Sequence, residues 1–161
     1  MTEDNRSTPA PARLDATISA GAIVVGVDGS ASSEEALRWA ARQSRLTGRE
    51  LVAVLAWGYS VHYGNEGFGE HGPETHARDT LQKMLEKALG EADASTVHQH
   101  VVQGYPVQVL LDASTGANML VVGCRGHGGF AGMLLGSVSQ HLVAHATVPV
   151  LVVHGHTLAT E

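Results

Sequence analysis

Five short apolar runs, Ile23–Val27, Leu51–Trp57, Val97–Gln103, Met119–Gly123 and Val148–Val153, alternate along the chain with stretches of helical periodicity. Such alternation implies crossover connections and a parallel sheet covered by helices on both faces. Because these crossovers are right-handed, the economical architecture is a single doubly wound α/β domain of five parallel strands with four helices on two faces, for which the expected strand order is 3-2-1-4-5. The first and fourth runs are the most completely apolar and are the expected central pair. The third, VHQHVVQ, alternates and carries more polar residues, which places it near an edge. Ligands of such sheets bind beyond the carboxyl ends of the strands, where the winding reverses.

Local signals punctuate this frame. Ser32-x-x-Glu35 reads as a capping box opening a helix whose apolar stripe is Ala36, Leu37, Ala40 and Ala41, with Thr47-Gly48 closing it. Gly58–Pro73 holds five glycines, three aromatics and two histidines in sixteen residues, the composition of a long loop and a candidate lid. Glu74–Ala92 is a strongly striped helix through Ala77, Leu81, Met84, Leu85, Ala88 and Leu89. Pro106 opens a shorter helix with Val107, Leu110, Leu111 and Ser114 on one face, and Ser137 begins a fourth. Residues 1–20 lack apolar periodicity and read as a disordered tail, 21–155 as the domain and 156–161 as a short C-terminal tail.

Charge and cysteine content narrow the function. Ten Lys plus Arg against 16 Asp plus Glu give a net charge of −6 with no compensating basic run, which argues against nucleic acid or an anionic membrane as partner. No apolar run approaches the roughly 20 residues of a membrane span. The single cysteine, Cys124, has no internal partner, and MTEDNRSTPAPARLD lacks a signal-peptide pattern, so a soluble, cytoplasmic protein is expected.

The site-bearing motif follows the fourth strand. Gly123-Cys124-Arg125-Gly126, nine residues, then Gly136-Ser137 gives G-x2-G-x9-G-S. The first two glycines suit a tight turn and close backbone approach to a ligand. Gly136 and Ser137 stand at a helix start, where unpaired N–H groups and the positive dipole end favour phosphate oxygens. Ser137-x-x-Gln140 also fits a capping box, so the hydroxyl has a competing structural duty.

Together with the IVVGVDGS first strand, the VVG fourth strand and the closing VPVLVV, this motif closely resembles a universal stress protein domain from about Ala22 to Val153. The resemblance implies the ATP-binding branch of that family. It matches Asp28 to the acidic position near ribose, adenine or a bound Mg²⁺, and Gly123 and Gly126 to positions beside the ribose and phosphates. Gly136, Ser137 and the Val138 amide match the phosphate-binding helix start, and Ala56 falls at the adenine-facing end of the second strand. It further implies a symmetric homodimer, which agrees with an exposed apolar edge at Val150, Leu151, Val152 and Val153 that needs covering.

Other residues carry weaker signals. Arg125, the one cation within the motif, serves equally as a phosphate partner or a solvated charge, and His127, beside the second glycine, is a weaker candidate of the same kind. Cys124 reads as packing beneath the loop. The pairs His98/His100 and His141/His145 have spacings that suit a metal, but without a nearby Cys or acidic cluster they read as solvated or interface histidines. The expected function is therefore an ATP- and Mg²⁺-binding stress-response regulator with an unidentified protein partner and at most slow ATP hydrolysis, there being no Walker lysine or evident general base. The alternatives are a nucleotide-α-hydrolase on the same frame, or an interaction protein that needs no nucleotide. A phospho-accepting receiver is disfavoured, because Gly104 stands where its acceptor aspartate belongs.

Overall fold

A computed structural model describes residues 14, 18–58, 72–126 and 134–155. Its elements run β1 (Ile23–Gly26), α1 (Ala31–Thr47), β2 (Leu51–Trp57), α2 (Gly72–Leu89), α3 (Glu91–Ala94), β3 (His98–Gln103), α4 (Pro106–Ser114), β4 (Met119–Gly123), α5 (Ser137–His145) and β5 (Val150–Val153). The strands form one sheet in the order β3-β2-β1-β4-β5 with every neighbouring pair parallel, as the alternation of runs requires. Among the described residues, no helix is long and apolar enough to cross a membrane.

The two-residue period of the strands divides the core into two layers. Ile23, Val25, Leu51, Ala53, Leu55 and Val121 face α1 and α2, where Leu37, Ala40, Leu81 and Leu85 meet them. Val24, Val52, Val54, Leu120 and Val122 face the opposite side, against Leu110 of α4 and Leu142 of α5. Both faces of the central strands are thus fully apolar, which is why their sequences read as continuous runs.

Several boundaries differ from the sequence reading, each for a local reason. The helix expected over Glu74–Ala92 starts at Gly72 and stops at Leu89. Gly90 takes a left-handed φ of 83° and separates a one-turn α3, so the described residues hold five helices where four were expected. The buried face of α4 is Val109, Leu110, Ala113 and Ser114, with Val107 and Leu111 only half-buried, because the helix rolls to fill the groove over β1 and β2. The last strand begins at Val150, since Pro149 has no N–H for the ladder and contributes only its carbonyl, to Leu120 N–H at 2.9 Å. Leu14 and Ile18, within the expected tail, pack against the α4/α5 side of the core. Of the loop and candidate lid expected over 58–73, residues 59–71 lie outside the described residues.

One charged group is nearly buried in the framework. Glu34 in the first turn of α1 accepts from Lys87 of α2 at 2.7 Å and pairs with Arg38 one turn on. The Lys87 hydrogen bond, with help from Arg38, outweighs desolvation and holds the Glu34 carboxyl below its ordinary range. The pair ties α2 to α1 on the face that carries the first layer of core.

Candidate functional site

The winding reverses between β1 and β4, which pair in register from Ile23–Met119 to Val25–Val121, and their carboxyl ends carry Asp28 and residues 123–126. Asp28 is fixed by a local turn: its Oδ1 accepts the Ser30 N–H at 2.9 Å, and its own N–H lies 3.4 Å from Ser33 Oγ. Ser30, not Ser32, caps α1: Ser30 Oγ accepts the Ser33 N–H, while Ser33 Oγ donates to the Ser30 carbonyl at 2.9 Å. The N-cap thus lies two residues before the expected Ser32, because the chain leaves β1 through the Asp28–Ser30 turn and is already extended at Ser30.

This shift frees Ser32 for a long-range task that the sequence reading missed. Its hydroxyl, nearly buried, donates to the Arg125 carbonyl, and Ser30 Oγ reaches the same oxygen at 3.3 Å. Two further clamps hold the loop after β4. Gly136 N–H donates to the Cys124 carbonyl at 2.7 Å, and the buried Ser139 Oγ donates to the Gly123 carbonyl at 2.7 Å. Three successive carbonyls, at residues 123, 124 and 125, are therefore engaged by α1 and α5. Their partners lie far off in sequence, so no local pattern reveals them.

The two motif glycines do different work. A Cβ on Gly123 would collide with Ser32 Oγ and stand 2.7 Å from both Ser32 C and Ser33 N, so this glycine lets α1 lie directly on β4. Its bare face is filled by a helix, whereas the family resemblance assigns it to the ribose and phosphates. A Cβ on Gly126 would stand 2.5 Å from Asp28 Oδ2, which puts this exposed glycine against the carboxylate across the cleft. Gly136 also closes on this point: its Cβ position is 3.7 Å from Gly126 N and 3.5 Å from the Arg125 Cα.

Gly136 is the N-cap of α5 and no side chain caps the helix. Ser137 is consequently the first helical residue and has no capping-box role, and Gln140 instead donates to the Leu135 carbonyl at 2.9 Å. Helix geometry leaves the N–H groups of Ser137, Val138 and Ser139 without intrahelical acceptors, at the positive end of a nine-residue helix. Ser137 is exposed and Val138 half-buried. The Arg125 side chain is exposed, Cys124 is buried beneath the loop, and His127 lies outside the described residues.

At the other wall, β2 outruns β1. Gly26 pairs with Val54, and the Val27 N–H donates to the Val54 carbonyl at 2.9 Å, after which β1 has ended. The Trp57 carbonyl serves β3 through Gly104 N–H at 2.8 Å, so the alternation of the ladder turns Ala56 N–H and C=O toward the β1 side, past its end. The cleft thus combines a strand-end amide group at Ala56, a carboxylate at Asp28 and an uncapped helix start at Gly136–Val138. Among the described residues, no group of three or more His, Cys, Asp or Glu side chains forms a metal cluster.

Comparison with known proteins agrees with this architecture. Residues 20–154 match the family model described as the universal stress protein family. The chain is 38% identical over 146 residues to a universal stress protein of Mycolicibacterium smegmatis, covering 86% of this chain and 50% of that protein. It is likewise 38% identical over 141 residues to one of Mycobacterium tuberculosis, covering 82% and 47%. The chain therefore spans about half the length of these curated relatives. Among solved structures, a universal stress protein in complex with cAMP superposes with a TM-score of 0.61 at 28% identity, covering 86% of this chain and 100% of that one. The Lactobacillus plantarum universal stress protein superposes with a TM-score of 0.67 at 19% identity, covering 84% and 99%, a likeness of fold alone.

Proposed function

Because the chain belongs to the universal stress protein family, we propose that it is a cytoplasmic ATP-binding regulator of a stress response, holding one nucleotide with Mg²⁺ between the ends of β1, β2 and β4. The observation that carries this reading is the uncapped start of α5 closing on Gly126 and Asp28 at the point where the winding reverses. Such a helix end favours phosphate oxygens through its free N–H groups and dipole. An adenine nucleotide in the 28% identical relative supports the ligand class.

In this reading the backbone of Ala56 meets the adenine edge, with Asp28 and Gly126 beside the ribose and first phosphates. The amides of Ser137 and Val138, with the Ser137 hydroxyl, take the outer phosphates. The engaged carbonyls of residues 123–125 keep their negative ends out of the phosphate path, which matters because the chain is acidic and brings only Arg125 as a motif cation. The donor set fits a phosphate-borne Mg²⁺ better than a resident metal, since Mg²⁺ is ordinarily held by one or two carboxylates together with phosphates and water. When bound, Mg²⁺ screens charge between neighbouring phosphates, and Asp28 is the carboxylate that would face it.

Asp28→Asn separates these roles, since the amide oxygen can still accept the Ser30 N–H while the charge is lost. ATP affinity in Mg²⁺ is expected to fall about tenfold, roughly 1.4 kcal/mol, with wild type and variant alike in EDTA. An equal loss in EDTA would assign Asp28 to the nucleotide itself. Continued release of ADP or AMP over many turnovers would favour the hydrolase reading instead.

The same proposal includes a homodimer through β5, whose four residues Val150–Val153 are all half-buried at the open edge of the sheet. Pairing this edge removes the exposed apolar strand. Sedimentation velocity is expected to return the mass of two chains, and a single-chain mass at micromolar concentration would remove this part of the reading.

A further inference from the structure

The exposed side of α5 carries His141 and His145, one helical turn apart, with both side chains in solvent. Their rings lie 26° from parallel with centroids 6.4 Å apart. His141 Nδ1 is 2.7 Å from the Ser137 carbonyl oxygen. A carbonyl can only accept, so Nδ1 carries the proton, and in the neutral ring the lone pair is then on Nε2. This is the arrangement typical of metal-ligating histidines, in which one ring nitrogen donates to a backbone carbonyl and thereby fixes the tautomer and aims the other. The i, i+4 spacing is also the one by which two histidines on a helix grip a single ion.

We propose that His141 and His145 form an open two-histidine site for a divalent transition metal, with water completing the coordination. Imidazole pairs suit copper, nickel and zinc, and the ordinary affinity order ranks copper(II) highest. His141 is held by its hydrogen bond to the Ser137 carbonyl, and the exposed His145 ring is the one that turns until an imidazole nitrogen of each residue stands about 2.0 Å from a shared ion. No third His, Cys, Asp or Glu joins them among the described residues, so the site is exchangeable and unlike a closed structural zinc centre. The hydrogen bond from His141 ends on Ser137, so the metal would sit one helical turn from the proposed phosphate contact, though the site does not depend on the nucleotide reading.

The other pair, His98 and His100 on the edge strand β3, is less suited. His100 is half-buried, and burial first, then the neighbouring His98, pushes its pKa down. No backbone carbonyl orients either ring among the described hydrogen bonds, so this pair serves as the internal control.

The test uses tag-free, metal-stripped full chain and copper(II) alone. Electron paramagnetic resonance is expected to show coupling to two imidazole nitrogens at one equivalent. Either H141Q or H145Q should weaken binding at least about tenfold, since loss of even a supporting partner costs that much, and H98Q/H100Q should leave it unchanged. Retention of the two-nitrogen signal and affinity in H141Q/H145Q would overturn the proposal, as would their loss in H98Q/H100Q. A second readout needs no variant. In nitrogen-15 spectra of the wild type, zinc should shift Nε2 of His141 while Nδ1 keeps its proton, and unmoved His141 and His145 resonances at saturating zinc would equally overturn it.

Discussion

Gly126→Val is expected to abolish measurable ATP binding, a loss of at least about 100-fold or roughly 2.7 kcal/mol, while the folded structure survives. The added Cβ would stand 2.5 Å from Asp28 Oδ2. That carboxylate cannot swing aside without cost, because its Oδ1 holds the Ser30 N–H and so shapes the turn into α1. The two further methyl groups of valine would crowd the gap toward Gly136, where the phosphates are proposed to pass. Gly126 is exposed and its backbone is not left-handed, so the framework has little to lose. The strain falls on the Asp28 turn alone, and a loss in the ordinary overpacking range of about 1–3 kcal/mol leaves the domain folded. Titration with ATP and a thermal melt on the same sample check both halves. Retained affinity in a folded variant would show that the phosphates lie elsewhere.

Gly123→Ala, three residues earlier in the same motif, is expected to do the reverse and act first on stability. Its Cβ would meet Ser32 Oγ, Ser32 C and Ser33 N, two of them backbone atoms that no rotamer change can move. Either α1 lifts from β4 or β4 bends away from β1, and both elements line the central layer of core. Overpacking costs about 1–3 kcal/mol, sometimes more, and rigid backbone neighbours put this case at the upper end, with a melting point lower by roughly 10 °C. Urea unfolding would measure it. A change below about 0.5 kcal/mol would mean that α1 does not press on Gly123 as described. In one motif, therefore, a Cβ at the first glycine would meet the backbone of α1, while at the second it would meet the Asp28 carboxylate of the proposed site.

That division marks where sequence reading stops. The strands were legible because Ile23–Val27, Leu51–Leu55 and Leu120–Val122 are buried on both faces, and such burial leaves an unbroken apolar run. Their order rested on taking the first and fourth runs, the most completely apolar, as the central pair and the more polar third as an edge. Caps were less legible: Ser30, Ser32 and Ser33 are equivalent as letters, and only the Asp28 turn decides which one caps α1. The helix break at Gly90 was hidden inside a continuous stripe, since one left-handed residue ends a helix without disturbing the apolar pattern. Ser32 and Ser139 were missed because each grips a carbonyl in the loop after β4 from another helix, a relation carried by tertiary geometry alone. Where the expected site positions lie is likewise set by tertiary geometry. Asp28, Gly126 and Gly136 converge, while Gly123 faces a helix and Arg125 faces solvent.

The central claim is that the uncapped start of α5 and the carboxylate of Asp28 form a nucleotide site, and calorimetric titration tests it most directly. Purified full chain, stripped of nucleotide, is titrated with ATP in the presence of Mg²⁺. The account predicts saturable binding of one ATP per chain, weakened when Mg²⁺ is removed; no saturable heat at millimolar ATP, from protein shown to be folded, would contradict it.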